Sequence, residues 1–98
     1  MQNTFSEKSV IVTGASSGIG KALALRLAEE GAWLALAARN AQRLDSVAGE
    51  CQQCGTKAIA IPTDVADESQ CRALIQRTQE IYGRIDMLVN NAGIDVVS

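Results

Sequence analysis

Four short runs of the chain are apolar on nearly every residue, and the longer stretches between them are apolar only at helical spacing. The runs are Ser9-Val10-Ile11-Val12-Thr13, Trp33 to Ala38, Ala58-Ile59-Ala60-Ile61 and Met87-Leu88-Val89-Asn90. Continuous apolarity over so few residues is the pattern of a strand covered on both faces, as in a parallel sheet. Pro62 closes the third run because it cannot donate to a ladder. Between the runs, Ile19, Leu23 and Leu27 fall at i, i+4, i+8; Leu44, Val47, Ala48 and Cys51 fall at i, i+3, i+4, i+7; Cys71, Leu74, Ile75 and Thr78 repeat the second spacing, extended by Ile81. Each set predicts one helix with one core-facing stripe. Gly31, Gly55 and Gly83 stand where these helices should end. Asn40 is the expected N-cap of the second helix, and Asp67 with Gln70 reads as a capping box opening the third.

The order is therefore β-α-β-α-β-α-β. Strands joined by helices run parallel with right-handed crossovers, which predicts an α/β domain: the first half of a doubly wound parallel sheet, in spatial order 3-2-1-4. Residues 1–98 are expected to form a single domain that breaks off after the fourth strand.

Composition narrows the function. The 98 residues carry a net charge of -2 and no His. Lys and Arg are scattered without a basic stripe, so nucleic acid is not an expected partner. The longest apolar run, Ala32 to Ala38, is seven residues, against roughly 20 for a membrane helix. A polar start and three Cys without a signal segment point to a reduced, cytoplasmic protein with no membrane partner.

The candidate chemistry lies at the carboxyl ends of the strands, where open α/β sheets bind ligands. Thr13-Gly14-Ala15-Ser16-Ser17-Gly18-Ile19-Gly20 joins the first strand to the first helix, with glycines spaced G-x-x-x-G-x-G. Gly14 permits a tight exit from the strand, Gly18 a close backbone approach to a pyrophosphate, and Gly20 close packing of helix on sheet. First-turn N–H groups and the Ser16 and Ser17 hydroxyls add anion donors. At the end of the second strand an Asp or Glu would accept from the adenosine ribose and favour NAD. Here the sequence reads Ala37-Ala38-Arg39-Asn40. Ala38 leaves room, Arg39 offers a fork suited to a 2′-phosphate, and Arg43 can add a second charge. After the third strand, Asp64 can accept from an adenine amino group beside Val65, or serve only as a turn residue ahead of the third helix. After the fourth, the adjacent amides of Asn90 and Asn91 can tie neighbouring backbones together, while Ala92 and Gly93 leave space for a cofactor.

Taken together, the glycine turn, Ala38-Arg39, Asp64-Val65, the approach Gly83-Arg84-Ile85-Asp86 and Leu88-Val89-Asn90-Asn91-Ala92-Gly93 resemble the short-chain dehydrogenase/reductase family, over nearly the whole chain from about Phe5 to Gly93. The resemblance implies a Rossmann-like fold and an oxidoreductase that transfers hydride between NADP(H) and a small carbonyl or alcohol substrate, homo-oligomeric at full length. It implies that Gly14, Ser16, Ser17 and Ile19 contact the cofactor with Gly18 and Gly20 shaping the turn. Arg39 would mark NADP, Asp64 and Val65 would hold the adenine, and Asn91, Ala92 and Gly93 would lie along the nicotinamide ribose, with Asn90 mainly structural. The sequence departs from the family in its chemistry. The family's catalytic Ser and Tyr-x-x-x-Lys fall well downstream of Asn-Asn-Ala-Gly, whereas the only Tyr here is Tyr82, followed four residues later by Asp86, and Ser98 comes too soon after Gly93. No catalytic residue is assigned, and the chain itself is expected to be inactive. Its alternative is a stand-alone nucleotide-binding or regulatory module. Cys51-Gln52-Gln53-Cys54 is read as helix packing, not as a metal or redox site, since only Cys71 remains to complete a ligand set. Trp33 is read as packing too.

Overall fold

The computed structural model describes residues 4–91. Strands β1 (Ser9–Thr13), β2 (Trp33–Ala38), β3 (Ala58–Pro62) and β4 (Met87–Val89) alternate with helices α1 (Gly18–Glu29), α2 (Ala41–Gln53) and α3 (Glu68–Tyr82). The sheet is entirely parallel with order β3-β2-β1-β4, as the crossover rule requires. Register runs from Ser9↔Trp33 to Thr13↔Ala37 on one side of β1 and from Val10↔Met87 to Val12↔Val89 on the other. All four strands therefore deliver their carboxyl ends to the same edge.

Side chains alternate across the sheet. Val10, Val12, Leu34, Leu36 and Ala58 pack with α1 and α2, whereas Ile11, Ala35 and Ala37 pack with Leu74 of α3. The two central strands are buried on both faces, which is why they carry no polar alternation. Helix α2 buries Leu44, Val47, Ala48 and Cys51, the stripe read from its spacing. Asn40 caps it by accepting from the Arg43 N–H at 3.0 Å. Asp67 caps α3 by accepting from the N–H groups of Ser69 and Gln70, and these bonds hold its carboxyl below the usual carboxylate range. The box closes differently from the expected form: Gln70 Oε1 accepts from the Asp64 N–H, three residues further back than the cap.

Two helices correct the expected stripes. In α1 the buried positions are Gly20, Ala24, Leu27 and Ala28, and Ile19 is 76% exposed. The small residues set the face because α1 lies hard against the chain leaving β1: a Cβ on Gly20 would stand 1.9 Å from the Gly14 carbonyl oxygen and 2.7 Å from Asn91 Nδ2. In α3 only Leu74 and Thr78 are buried, while Ile75 and Ile81 are about half exposed. That helix alone covers its face of the sheet, so its contact is one narrow line. On β4, Leu88, in register with Ile11 on this face, is 52% exposed, and Met87, in register with Val10 on the other, is 39% exposed.

The amino end of the sheet is closed by polar ties. Asp86 Oδ2 accepts from the Ser9 N–H at 2.8 Å, and Arg84 donates twice to Oδ1, at 3.1 and 2.6 Å. Those bonds, the Arg84 pair first, keep the Asp86 carboxyl below its ordinary range. Tyr82 packs on Trp33 with ring centroids 5.7 Å apart, and Lys57 Nζ sits 4.2 Å from the Trp33 ring centre.

Two outcomes are expected. Gly20→Ala forces α1 away from the turn at a cost of about 3 kcal/mol, the upper end for overpacking, which in a domain of this size lowers Tm by roughly 12–24 °C. Thermal unfolding followed by circular dichroism checks it; a loss below about 1 kcal/mol would show that the helix shifts freely. The chain should also associate as its concentration rises, because β4 is an edge strand flanked by the half-exposed Ile75 and Leu88. A monomer by light scattering at high concentration, unfolding cooperatively, would count against that.

Candidate cofactor site

At the carboxyl edge, the turn after β1, the end of β2 and the loop after β3 enclose a cavity of about 330 Å³, lined by Gly14, Ala38, Arg39, Thr63, Asp64, Val65 and Ala66. Backbone bonds fix its walls to one another. The Ala15 N–H donates to the Ala37 carbonyl at 3.2 Å, and the Thr63 N–H to the Ala38 carbonyl at 2.9 Å. Arg39 is exposed and joins no ion pair among the described residues. Asp64 fills both roles read from the sequence. Its Oδ1 accepts from the Ala66 N–H at 3.0 Å and so shapes the loop, while the residue also forms part of the cavity wall.

The glycine turn leads into the start of α1. Ser17 is the N-cap residue, yet no side chain caps the helix there. Its first N–H groups thus keep the orphan donors and partial positive charge of a helix start. Gly18 has φ +60°, the left-handed region, and a Cβ built on it meets no atom of the chain within 4 Å. The backbone shape asks for glycine there, and the space beside it is open. That contrasts with Gly20, two residues further on in the same motif, where packing alone excludes a side chain. Ser16, Ser17 and Gly18 face Lys21, Arg43 and Ser46 across a groove of about 350 Å³.

The two asparagines after β4 both act as braces. Thr13 Oγ1 donates to Asn90 Oδ1 at 3.1 Å, and Asn91 Nδ2 donates to the Gly14 carbonyl at 3.3 Å. The second bond ties β4 to the glycine turn, the bridging of neighbouring backbones that the sequence offered for these two amides. Ala92 and Gly93 lie outside the described residues. The structure thus gathers Gly14, Arg39, Asp64 and Val65 around one cavity and Ser16, Ser17 and Gly18 around the adjoining groove, with Ile19 exposed beside them. Sequence reasoning missed Lys21 and Ser46. The signal was available: Lys21 lies one turn after Ser17, and Ser46 three residues after Arg43, positions that share helix faces.

Two chemically tempting groups are removed from this site. The Tyr82 hydroxyl donates to the Leu34 carbonyl at 2.8 Å, near the amino end of β2, and burial pushes its pKa up to about 12. It sits at the opposite end of the sheet from the cavity. Cys51 is buried and its thiol is pushed up to about 11, chiefly by burial, with Cys54 and Glu50 adding to it. A thiol so protonated is a packing group.

The profile of the short chain dehydrogenase family matches residues 8–98. The chain is 43% identical over 90 residues to a 3beta-hydroxysteroid dehydrogenase of Mediterraneibacter gnavus, covering 92% of this chain and 33% of that protein. A crystal structure of a short-chain type dehydrogenase/reductase from Mycobacterium marinum superposes with TM-score 0.88 at 43% identity, covering 98% of this chain and 39% of that one. NAD+-bound xylitol dehydrogenase superposes with TM-score 0.84 at 35% identity, over 87% of this chain and 33% of that one. The chain therefore spans between a third and two fifths of the length of these relatives. The match over residues 8–98, on a sheet of order β3-β2-β1-β4 with the glycine turn at its carboxyl edge, shows that this chain belongs to the short-chain dehydrogenase family.

Proposed function

We propose that this chain is the NADP(H)-binding part of an oxidoreductase that moves hydride between NADP(H) and a small carbonyl or alcohol. One observation carries the choice of cofactor: the residues closing β2 are Ala38 and an exposed Arg39 that joins no ion pair among the described residues, and both line the cavity. An NAD site places a carboxylate there. The family includes an NAD+-bound member, so membership alone does not choose, and Arg39 is what supports NADP. In this reading the adenine lies between Asp64 and Val65, the pyrophosphate lies at Ser16, Ser17 and Gly18 on the start of α1, and the 2′-phosphate meets Arg39. Asn91, Ala92 and Gly93 continue toward the nicotinamide ribose, and Ile19 lies against the cofactor. The bound cofactor supplies the hydride chemistry and the chain supplies position and electrostatics. Among the described residues, the chain's tyrosine is held at the far end of the sheet, away from this cavity.

The first expectation is that the 98-residue chain does not turn over ketones. General acid catalysis contributes about 10²–10⁴-fold, and no group at the site provides it. NADPH oxidation by the purified chain with a panel of ketones, above a no-protein control and lost in Gly18→Trp, would overturn this. The second concerns selectivity. A charge-assisted hydrogen bond is worth about 1.5–3 kcal/mol, so one such bond to the 2′-phosphate favours NADPH over NADH roughly 10- to 150-fold. Arg39→Ala should weaken NADPH by at least about tenfold and leave NADH nearly unchanged, and Ala38→Asp with Arg39→Ile should invert the preference. Calorimetric titration with both cofactors checks it. Equal affinities in the unaltered chain, or equal losses in Arg39→Ala, would make the NADP assignment wrong.

A further inference from the structure

We propose that the outer edge of β3, with the groove of about 360 Å³ beside it, is the surface on which a second copy of this chain docks, the two β3 strands pairing antiparallel about a two-fold axis at Ala60.

The edge is self-complementary in its hydrogen bonds. β3 closes the sheet on the side away from β4, and no strand lies beyond it among the described residues. In a parallel ladder, alternate residues of a strand bond to one neighbour. The Leu34 N–H donates to the Lys57 carbonyl and the Thr63 N–H to the Ala38 carbonyl, both at 2.9 Å. Residues 57, 59, 61 and 63 therefore face β2, and Ala58, Ala60 and Pro62 turn their backbone groups outward. Gln52 Nε2 already donates to the Ala58 carbonyl at 2.8 Å. Pro62 has no N–H to offer. What remains is the N–H groups of Ala58 and Ala60 and the carbonyls of Ala60 and Pro62. Antiparallel pairing centred on Ala60 matches all of them. Each Ala60 N–H meets the other copy's Ala60 carbonyl, and each Ala58 N–H meets the other copy's Pro62 carbonyl. The Ala58 carbonyl then stands opposite the missing N–H of Pro62, and it is the one that Gln52 satisfies. An arbitrary extended peptide would bring an N–H to that engaged carbonyl; a second copy brings the proline.

The side chains agree with this register. Ile59 of one copy and Ile61 of the other become cross-strand neighbours, and both are only partly buried in the single chain. Such β-branched pairs stabilise antiparallel strands. Ile81, 45% exposed, flanks them from α3. Arg77 on the same wall is exposed and long enough to turn its charge to solvent. On the other face, pairing sets α2 beside its copy at the roughly 8–10 Å of packed helices. Gly49 lines the groove there, between Gln52 over Ala58 and Asp45 one turn earlier. Its φ is not positive, and a Cβ built on it meets no atom within 4 Å. Neither backbone nor packing in the single chain asks for glycine, a residue that weakens a helix interior. In the pair, Gly49 meets its copy near the axis, and the missing side chain lets the two helices close. Asp45 then comes level with the copy's Gln52 and Gln53, an acceptor against amide donors. Because the strands run antiparallel, the two cofactor cavities lie at opposite ends and stay open.

Sedimentation equilibrium of the unaltered chain should show monomer–dimer exchange. Gly49→Glu should weaken it at least about tenfold, because it sets two carboxylates at the seam beside Asp45. The same change should not lower Tm, because Glu is a better helix former than Gly. Leu88→Gln, which makes the β4 edge polar, should leave this dimer in place. In a Cys54→Ser background, Gly49→Cys should give a disulfide-linked dimer on mild oxidation, since the two positions fall within disulfide reach, and Cys54→Ser alone should give none. A monomer at every concentration, a dimer that survives Gly49→Glu, or no link between copies at position 49 overturns the proposal. A dimer abolished by Leu88→Gln overturns it too, and places the association at β4.

Discussion

The close approach of α1 to the chain leaving β1 governs the rest of the molecule. Gly20 leaves no room for a Cβ against the Gly14 carbonyl, and that contact puts the start of the helix directly over the carboxyl end of the central strand. Everything at the site is referred to this point. Asn91 donates to the same Gly14 carbonyl and so locks β4 to it. Ala15 donates to Ala37 and so locks the end of β2 to it. The cavity and the groove then lie on either side of a single fixed turn, with Arg39 at the mouth of one and Arg43 in the other. Preorganisation of this kind lets an anion meet donors that need not be ordered on binding.

The same approach explains which parts of the fold were legible in the sequence. The strands were, because burial on both faces leaves a run with no polar alternation: Ser9–Thr13 and Trp33–Ala38 were read to the residue. Helix α2 was too, since its stripe is made of ordinary large side chains against a broad sheet face. Helix α1 misled, because hydrophobic spacing weights Ile19 and Leu23 and ignores glycine and alanine, yet contact at close range selects the small residues. Ile19 is turned outward in consequence. Helix α3 misled for another reason. Its apolar face is wider than the surface it meets among the described residues, so Ile75 and Ile81 stay half exposed.

At the site, the division between legible and hidden follows the same logic. Residues fixed by the ends of strands, such as Gly14, Arg39 and Asp64, were readable because strand ends could be located. Asn91 was read as able to tie neighbouring backbones, but its particular bond to Gly14 depends on how β4 docks beside β1, a long-range register that no local pattern carries. Lys21 and Ser46 were hidden because each is unremarkable on its own helix. Only the packing of α1 against α2, marked by the Lys21–Glu50 pair, turns two ordinary surface positions into facing walls.

The two ends of the sheet treat their polar groups in opposite ways. At the amino end, polar side chains are spent on the protein itself. Tyr82 donates to Leu34, Asp86 accepts from Ser9 and Arg84, and Lys57 lies on Trp33. Burial raises the Tyr82 hydroxyl's pKa, and the bonds from Arg84 and the Ser9 N–H lower that of Asp86. At the carboxyl end the balance reverses. Arg39 and Arg43 join no ion pair among the described residues, and α1 starts without a side-chain cap. A parallel sheet forces this asymmetry to be spatial, because every strand places its carboxyl end at the same edge. Unspent donors and positive charge thus collect around one cavity and one groove at the carboxyl edge.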